Sequence, residues 1–346
     1  MSHVIAWKIR SLAVLLLVLA LTVPIVSCKA KVPAATLQAE TEEPPGAPSR
    51  IVYEGYGIGV WIQQNKDGPA FRTYSVPSER PFEGIYHVLH QIPKGDDYLV
   101  FCLLDYKQVP FILDGQENIV HRVHLKAMEE RFFSFRIPAL TEGRHDLALV
   151  LIIKPDEHSL SEKFRFSTDF ALFHDARVVL SAGKSRLPPS IDYDIQGQHI
   201  PAEKRKVQFH GLLVNQHDGP QDLYAWLSED VNPNQVLTYI VHIGNDTDDP
   251  KEFALLAFLD FKQVPLSMKD EHWVKYGKLD TGERATVPGS LVVPSESGVH
   301  EFMIVWALSP YQPLERPMEG DAREITHIDT RIEPSIRIAL VTKKVD

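Results

Sequence analysis

The sequence predicts an all-β protein built as two tandem antiparallel β-sandwiches. Three observations carry that expectation. The run Leu104-Asp105-Tyr106-Lys107-Gln108-Val109-Pro110 returns as Leu259-Asp260-Phe261-Lys262-Gln263-Val264-Pro265, an offset of 155 positions. The same offset pairs Gly143 with Gly298, His145 with His300, Asp146 with Glu301 and Pro155 with Pro310, so the chain is a duplication and the repeat sets the architecture. Apolar segments in both copies are short, rich in Val, Ile, Phe and Tyr, and separated by Gly, Pro, Asn and Asp, the pattern of strands joined by turns. Beyond the first residues, no longer stretch carries a 3.6-residue apolar period, which argues against helices.

The N-terminus reads as an export signal. Lys8 and Arg10 precede an apolar run from Leu12 to Val23, which Pro24 ends. A membrane-spanning helix needs roughly 20 apolar residues, more than this run supplies. Residues 1–27 are therefore expected to be cleaved and stand outside the domain count. The tetrad Ile25-Val26-Ser27-Cys28 resembles the lipobox of bacterial lipoproteins, with Ile25 in place of the commoner leucine. That resemblance implies acylation of Cys28, palmitate included, and a lipid-anchored protein on the extracytoplasmic face of the cell membrane. Several acyl chains on one cysteine satisfy the need for more than one chain in stable anchoring. Without residues 1–27 the chain holds 34 basic and 46 acidic side chains, a net −12. An acidic surface repels nucleic acid and anionic lipid, so no nucleic-acid partner is expected and attachment falls to the acyl groups.

Residues 28–50 are rich in Ala, Pro, Glu and Thr and read as a lipidated start and tether, reaching about 25 Å as a coil. Repeat 1 is expected over 51–183, with strands at Gly57–Gln63, Tyr86–Ile92, Tyr98–Leu104, Phe111–Leu113, Phe132–Ile137, Asp146–Ile153 and Ala176–Leu180. A linker with Pro188-Pro189 and Gly197 is expected over 184–206. Repeat 2, over 207–346, mirrors most strands at Gly211–Asn215, Val236–Ile243, Phe253–Leu259, Arg284–Val293, Glu301–Leu308 and Ser335–Val341. About seven strands in some 130 residues suit a sandwich. The runs Gly143-Arg144-His145-Asp146-Leu147 and Gly298-Val299-His300-Glu301-Phe302 are similar to the Gly-x-Tyr-x-Cys run that opens the sixth strand of immunoglobulin-like domains. The resemblance implies an immunoglobulin-like fold in which His145 and His300 take the corner tyrosine's place. Both copies lack the cysteine pair.

The repeated run offers two readings. Asp105, Lys107 and Gln108, with Asp260, Lys262 and Gln263, form a polar binding patch, or they form a corner in which the aspartate caps turn amides and the lysine covers the aromatic ring. Retention in both copies while the flanks drift favours the corner. His145 and His300 are expected as corner residues bonded to backbone carbonyls. Their neighbours Asp146 and Glu301 point to the opposite strand face, which disfavours a His-Asp dyad. His121 and His124, three apart, share a face only in a turn or helix and are expected as surface residues, aligned with Tyr276 and Leu279. Cys102, opposite Ala257 in the repeat, reads as a small buried filler. Trp61 and Trp306 are expected in the core, with Trp226 and Trp273 nearer loops.

No Gly-x-Ser-x-Gly, His-Glu-x-x-His or phosphate-cradling glycine loop is present, so no catalytic residue, metal or cofactor is expected. The expected function is a non-catalytic envelope module that holds or presents a binding surface to a protein or polysaccharide partner, and it predicts an exposed apolar or aromatic patch near a domain junction. The alternative is an envelope hydrolase, which predicts a pocket lined by a carboxylate and a histidine within hydrogen-bond reach.

Overall fold

The computed structural model describes residues 57–165, 173–185, 187–201, 209–216, 226–268, 272–317, 323–325 and 328–343. The export signal, Cys28 and the tether lie outside the described residues. All described residues belong to one unit, Ile51–Asp346.

Repeat 1 supplies β1 (Ile58–Gln63), β2 (Thr73–Val76), β3 (Pro81–His90), β4 (Asp96–Leu104), β5 (Lys107–Val109), β6 (Phe111–Leu113), β7 (Gln116–Asn118), β8 (Val120–Leu125), β9 (Glu129–Ala139), β10 (Gly143–Ile153) and β11 (Phe173–Ala182). A single helical turn, α1 (Glu162–Arg165), precedes β11. Within the segment expected as the linker, β12 (Ile195–Gln196) and β13 (Gln198–His199) add to the sheets of repeat 2, which itself supplies β14 (Gly211–Asn215), β15 (Ser228–Val231), β16 (Val236–Asn245), β17 (Lys251–Leu259), β18 (Lys262–Val264), β19 (Lys275–Leu279), β20 (Glu283–Val292), β21 (Gly298–Leu308), β22 (Glu315–Pro317), β23 (Arg323–Ile325), β24 (Ile332–Pro334) and β25 (Ile338–Thr342). Apart from that helical turn the described residues are all-β, as the short turn-separated segments predict.

Each repeat is an immunoglobulin-like sandwich of two sheets. In repeat 1 the outer sheet runs β1-β3-β9-β6-β7 and the inner sheet β2-β11-β10-β4-β5, with β8 on β4. In repeat 2 the inner sheet runs β12-β19-β17-β21-β25-β15, with β18 on β17 and β24 on β21, and the outer sheet runs β13-β20-β16-β14. Pairing is antiparallel except where β2 joins β11, β15 joins β25 and β12 joins β19. The first two of these parallel pairings occupy equivalent places in the two copies.

The inner sheets bury both faces. In β10, Leu147, Leu149 and Leu151 fill the core of repeat 1, while Ala148, Val150 and Ile152 point the other way into a third core shared with Ala254, Leu256, Phe258, Met303 and Val305 of repeat 2. The two sandwiches therefore stack inner sheet to inner sheet, which is why β4, β10, β17 and β21 read as unbroken apolar runs. Cys102 lies fully buried in the first core, pointing away from repeat 2.

Several expectations need correction. The strand read over Ser335–Val341 divides at Ser335, whose amide donates to the Ile304 carbonyl (2.6 Å) and whose hydroxyl accepts from the Ile304 amide (3.0 Å). Strands β8 and β19 were not foreseen. Val100 pairs with His121 and Leu255 with Lys275, so the repeats align here one residue short of the general offset, and His121 corresponds to Lys275 rather than Tyr276. Within strand β8 the two histidines face opposite ways: His121 is 6% exposed and bonds the Phe111 carbonyl, whereas exposed His124 bonds Asp97. Trp61 is half-buried against His87 rather than in the core, while Trp306 is fully buried.

Candidate functional site at the joint between the repeats

The repeated run folds as a tight hairpin. Leu104 pairs with Lys107, leaving a two-residue turn in which Asp105 (φ 51°) and Tyr106 (φ 64°) are both left-handed. Asp260 (φ 49°) and Phe261 (φ 60°) repeat it. This is the geometry that hairpins favour and that Asn-Gly or Asp-Gly usually supplies. An aromatic residue in the left-handed region is strained, so the surroundings must hold it. Asp105 does so: one oxygen faces His145 Nδ1 (2.7 Å) and the other accepts the Asp146 amide (3.0 Å). Asp260 makes the same pair with His300 (2.7 Å) and the Glu301 amide (2.9 Å).

Each imidazole also reaches back four residues, His145 Nε2 to the Thr141 carbonyl and His300 Nε2 to the Glu296 carbonyl, both at 3.0 Å. A ring facing a carboxylate and a carbonyl satisfies both only when both nitrogens carry protons. The Asp105 hydrogen bond accordingly raises the His145 pKa against the opposing effect of burial. At His300 burial lowers it, but the Glu296 carbonyl and Asp260 outweigh that and the net direction is up. Gly143 (φ 143°) and Gly298 (φ 149°) open these strands in a conformation that side chains rarely adopt.

The glutamines of the run clamp the two repeats together. The Gln108 amide donates to Gln263 Oε1 (2.7 Å) and the Gln263 amide to Gln108 Oε1 (2.8 Å). Gln108 Nε2 donates to the Phe261 carbonyl (3.0 Å) and Gln263 Nε2 to the Tyr106 carbonyl (2.9 Å). Each contact has its reciprocal, as in an interface between identical subunits. The arginines repeat the logic. Arg177 crosses to the Leu308 and Ser309 carbonyls and pairs with Asp146 (2.7 Å). Arg337 crosses to the Ile153 and Lys154 carbonyls and lies near Glu301 (3.4 Å). These guanidiniums, not Lys107 or Lys262, cover the aromatic rings: Arg177 lies 5.8 Å from Tyr106 and Arg337 5.1 Å from Phe261.

The two halves of the joint differ around its rim. On one side an open groove of about 590 Å³ is lined by Asp105, Lys107, Val109, Trp273, Tyr276 and Tyr311. Trp273 is 45% exposed, and the Tyr276 and Tyr311 hydroxyls lie 3.4 Å apart. Burial raises the pKa of both tyrosines. The two-fold-related side has Lys262 for Lys107 and Ile119 for Trp273. There Arg122 and Asp156, aligned with Tyr276 and Tyr311, form a bidentate ion pair at 2.6 and 2.8 Å. Gln263 Nε2 also donates to the Trp273 carbonyl (3.1 Å), so the clamp positions the exposed indole.

The structure thus brings Asp105 and Lys107 to the groove, places Gln108 and Gln263 inside the joint, and leaves Asp260 and Lys262 on the opposite side. Sequence reasoning missed Tyr276 and Tyr311 as site residues; their signal is divergence from Arg122 and Asp156 within an otherwise retained joint. Among the described residues no group of three or more His, Cys, Asp or Glu side chains is placed to hold a metal. No described helix is long and apolar enough to cross a membrane.

No family model and no curated protein matches the chain. Among solved structures, the CARDB domain of a Pyrococcus furiosus protein, in complex with di-metal ions, aligns over 39% of this chain and 95% of its own at 16% identity and a TM-score of 0.23. Red sea bream transglutaminase aligns over 83% of this chain and 31% of its own at 12% identity and a TM-score of 0.22.

Proposed function

We propose that the chain is a lipid-anchored protein of the cell envelope, held through Cys28 on the extracytoplasmic face of the membrane, whose joined sandwiches present the rim groove to a protein or polysaccharide partner. One observation carries the reading: a joint conserved on both sides of its two-fold has an exposed indole and a tyrosine pair on one side only. Tyr276 and Tyr311 also pack edge-on against Tyr106 in the shared core, so the feature that sets the groove apart is the Trp273 indole, exposed beside them. An aromatic patch beside a junction is what a binding module requires.

Two measurements test it. Mass spectrometry of the mature protein finds an acylated N-terminal Cys28; an unmodified terminus elsewhere removes the anchor. A photo-reactive residue at Val109, in the groove, captures a discrete species in intact cells that Trp273→Ala abolishes. The same capture pattern from a remote position such as Glu130 defeats the groove assignment.

The hydrolase alternative draws on a separate seam cleft. Half-buried Asp175 faces cavities of about 270 and 260 Å³ beside His174, His210 and Glu333. Burial pushes its carboxyl up to about 7, in the range of a general acid. Turnover of an aryl ester or glycoside that Asp175→Asn eliminates would establish it.

A further inference from the structure

We propose that the rim groove binds a saccharide carrying an acidic group, with a sugar ring laid on Trp273 and its carboxylate or phosphate on Lys107. This rests on the groove being the binding site and names what it binds.

Size comes first. A concavity of about 590 Å³ suits a ligand of a few rings, within the range of roughly 300–1,000 Å³ for small-molecule sites. A protein partner instead needs about 800 Å² of its own surface covered. An extended peptide adding as a strand requires a free ladder edge. At this joint the edge amides of Gln108 and Gln263 are already taken by each other's side chains, so strand addition is closed off.

Chemistry comes next. The groove combines one exposed indole with hydroxyls from Tyr276 and Tyr311 and charged groups at Asp105 and Lys107. A pyranose has a matching duality: one face of axial C–H groups, which carry slight positive charge and settle on the electron-rich face of an indole, and a rim of hydroxyls that exchange hydrogen bonds with polar groups.

Charge selects among saccharides. Asp105 is held by His145 Nδ1 at 2.7 Å, and the other ring nitrogen faces the Thr141 carbonyl, an arrangement that suits a protonated ring beside the carboxylate. Lys107 is exposed and makes no ion pair among the described residues. Among the described residues of the lining, the Lys107 ammonium is therefore the charge left without an ion-pair partner, in a chain whose overall charge is −10. An ammonium so placed complements an anionic group on the ligand and repels a cationic one. On the two-fold-related side Arg122 and Asp156 neutralise each other across the equivalent positions.

Calorimetric titration of the mature protein with trigalacturonate as the acidic probe and chitotriose as the neutral one tests the assignment. Trigalacturonate binds, and chitotriose binds at least about tenfold more weakly. Trp273→Ala weakens trigalacturonate binding at least about tenfold, Lys107→Gln weakens it several-fold and flattens its salt dependence, and Ile119→Ala on the opposite side leaves it unchanged. Trp273 is exposed, so an unaltered melting temperature shows that its variant remains folded. Equal binding of the two sugars overturns the acidic class. Binding that survives Trp273→Ala, or no binding of either sugar, overturns the saccharide assignment. If no sugar binds while crosslinking from Val109 still depends on Trp273, the saccharide class falls and the binding-module reading stands.

Discussion

At each corner one imidazole serves two acceptors, and its protonated form is the one that fits. The unfolded histidine titrates near 6.5, and the folded pKa of His145 is raised by Asp105. A raised folded pKa contributes stability that is complete below the unfolded value and is lost as pH rises through the folded one. His145→Ala is therefore expected to cost about 2 kcal/mol near pH 6 and clearly less near pH 9, read from denaturant titrations. Asp175 obeys the opposite arithmetic for an acid. Its carboxyl lies at about 7 against an ordinary 3.8, so between those values the folded state holds a proton that the unfolded state has released. Stability must fall as pH climbs through that window. Asp175→Asn removes the titration and is expected to raise the melting temperature at pH 8 while changing it little at pH 3.5. An equal shift at both would mean that the asparagine acts through packing rather than charge.

Two hairpins, β4-β5 and β17-β18, clasp each other across the joint, and their glutamines act as a pair. Gln108→Ala leaves the buried Gln263 amide without its acceptor, a loss of about 2 kcal/mol, and Gln263→Ala does the same to Gln108. The two side chains bond each other's backbone in neighbouring clasps, so a double-mutant cycle is expected to show a coupling of about 1–2 kcal/mol, the loss of one clasp loosening the other; strict additivity would mean that the two clasps act independently. The importance of these hairpins was legible in the sequence, since the run recurs, but their geometry was not. A two-residue turn announces itself through glycine or asparagine, and Asp-Tyr and Asp-Phe conceal it because their left-handed backbone is held from outside by His145 and His300. Strands β8 and β19 were hidden for another reason. His121, Arg122 and His124 interrupt the alternation that marks a half-buried strand, and His121 is buried only because the Phe111 carbonyl accepts from it. Tyr276 was invisible because the shift in alignment at β19 placed it opposite the wrong residue, and Tyr311, opposite Asp156 at the general offset, meets it only through the fold.

The unbroken apolar character of β4, β10, β17 and β21 was present in the sequence and meant two buried faces, yet periodicity cannot say which surface covers the second. The answer is the other repeat. Phe101 meets Phe258 at 5.2 Å between ring centroids, within a core drawn from both halves. Around it Arg165 forms an ion pair with Glu301 at 2.6 Å and Arg177 with Asp146 at 2.7 Å, so each repeat's arginine or carboxylate also serves the interface. Separating the sandwiches would expose that apolar core and put the carbonyl contacts of Arg177 and Arg337 into water, leaving neither half with its inner sheet covered. The repeats should therefore unfold together. Differential scanning calorimetry of the mature protein is expected to give one transition whose calorimetric and van't Hoff enthalpies agree, where independent sandwiches would give two. Asp146→Ala isolates the cause, because it strips the buried Arg177 of its carboxylate and is expected to cost about 3–5 kcal/mol. If the joint couples the halves, that loss lowers the single transition or splits it with both parts shifted. A variant that melts in two steps with repeat 2 unmoved would show that the halves are stable independently and that the joint only orients them.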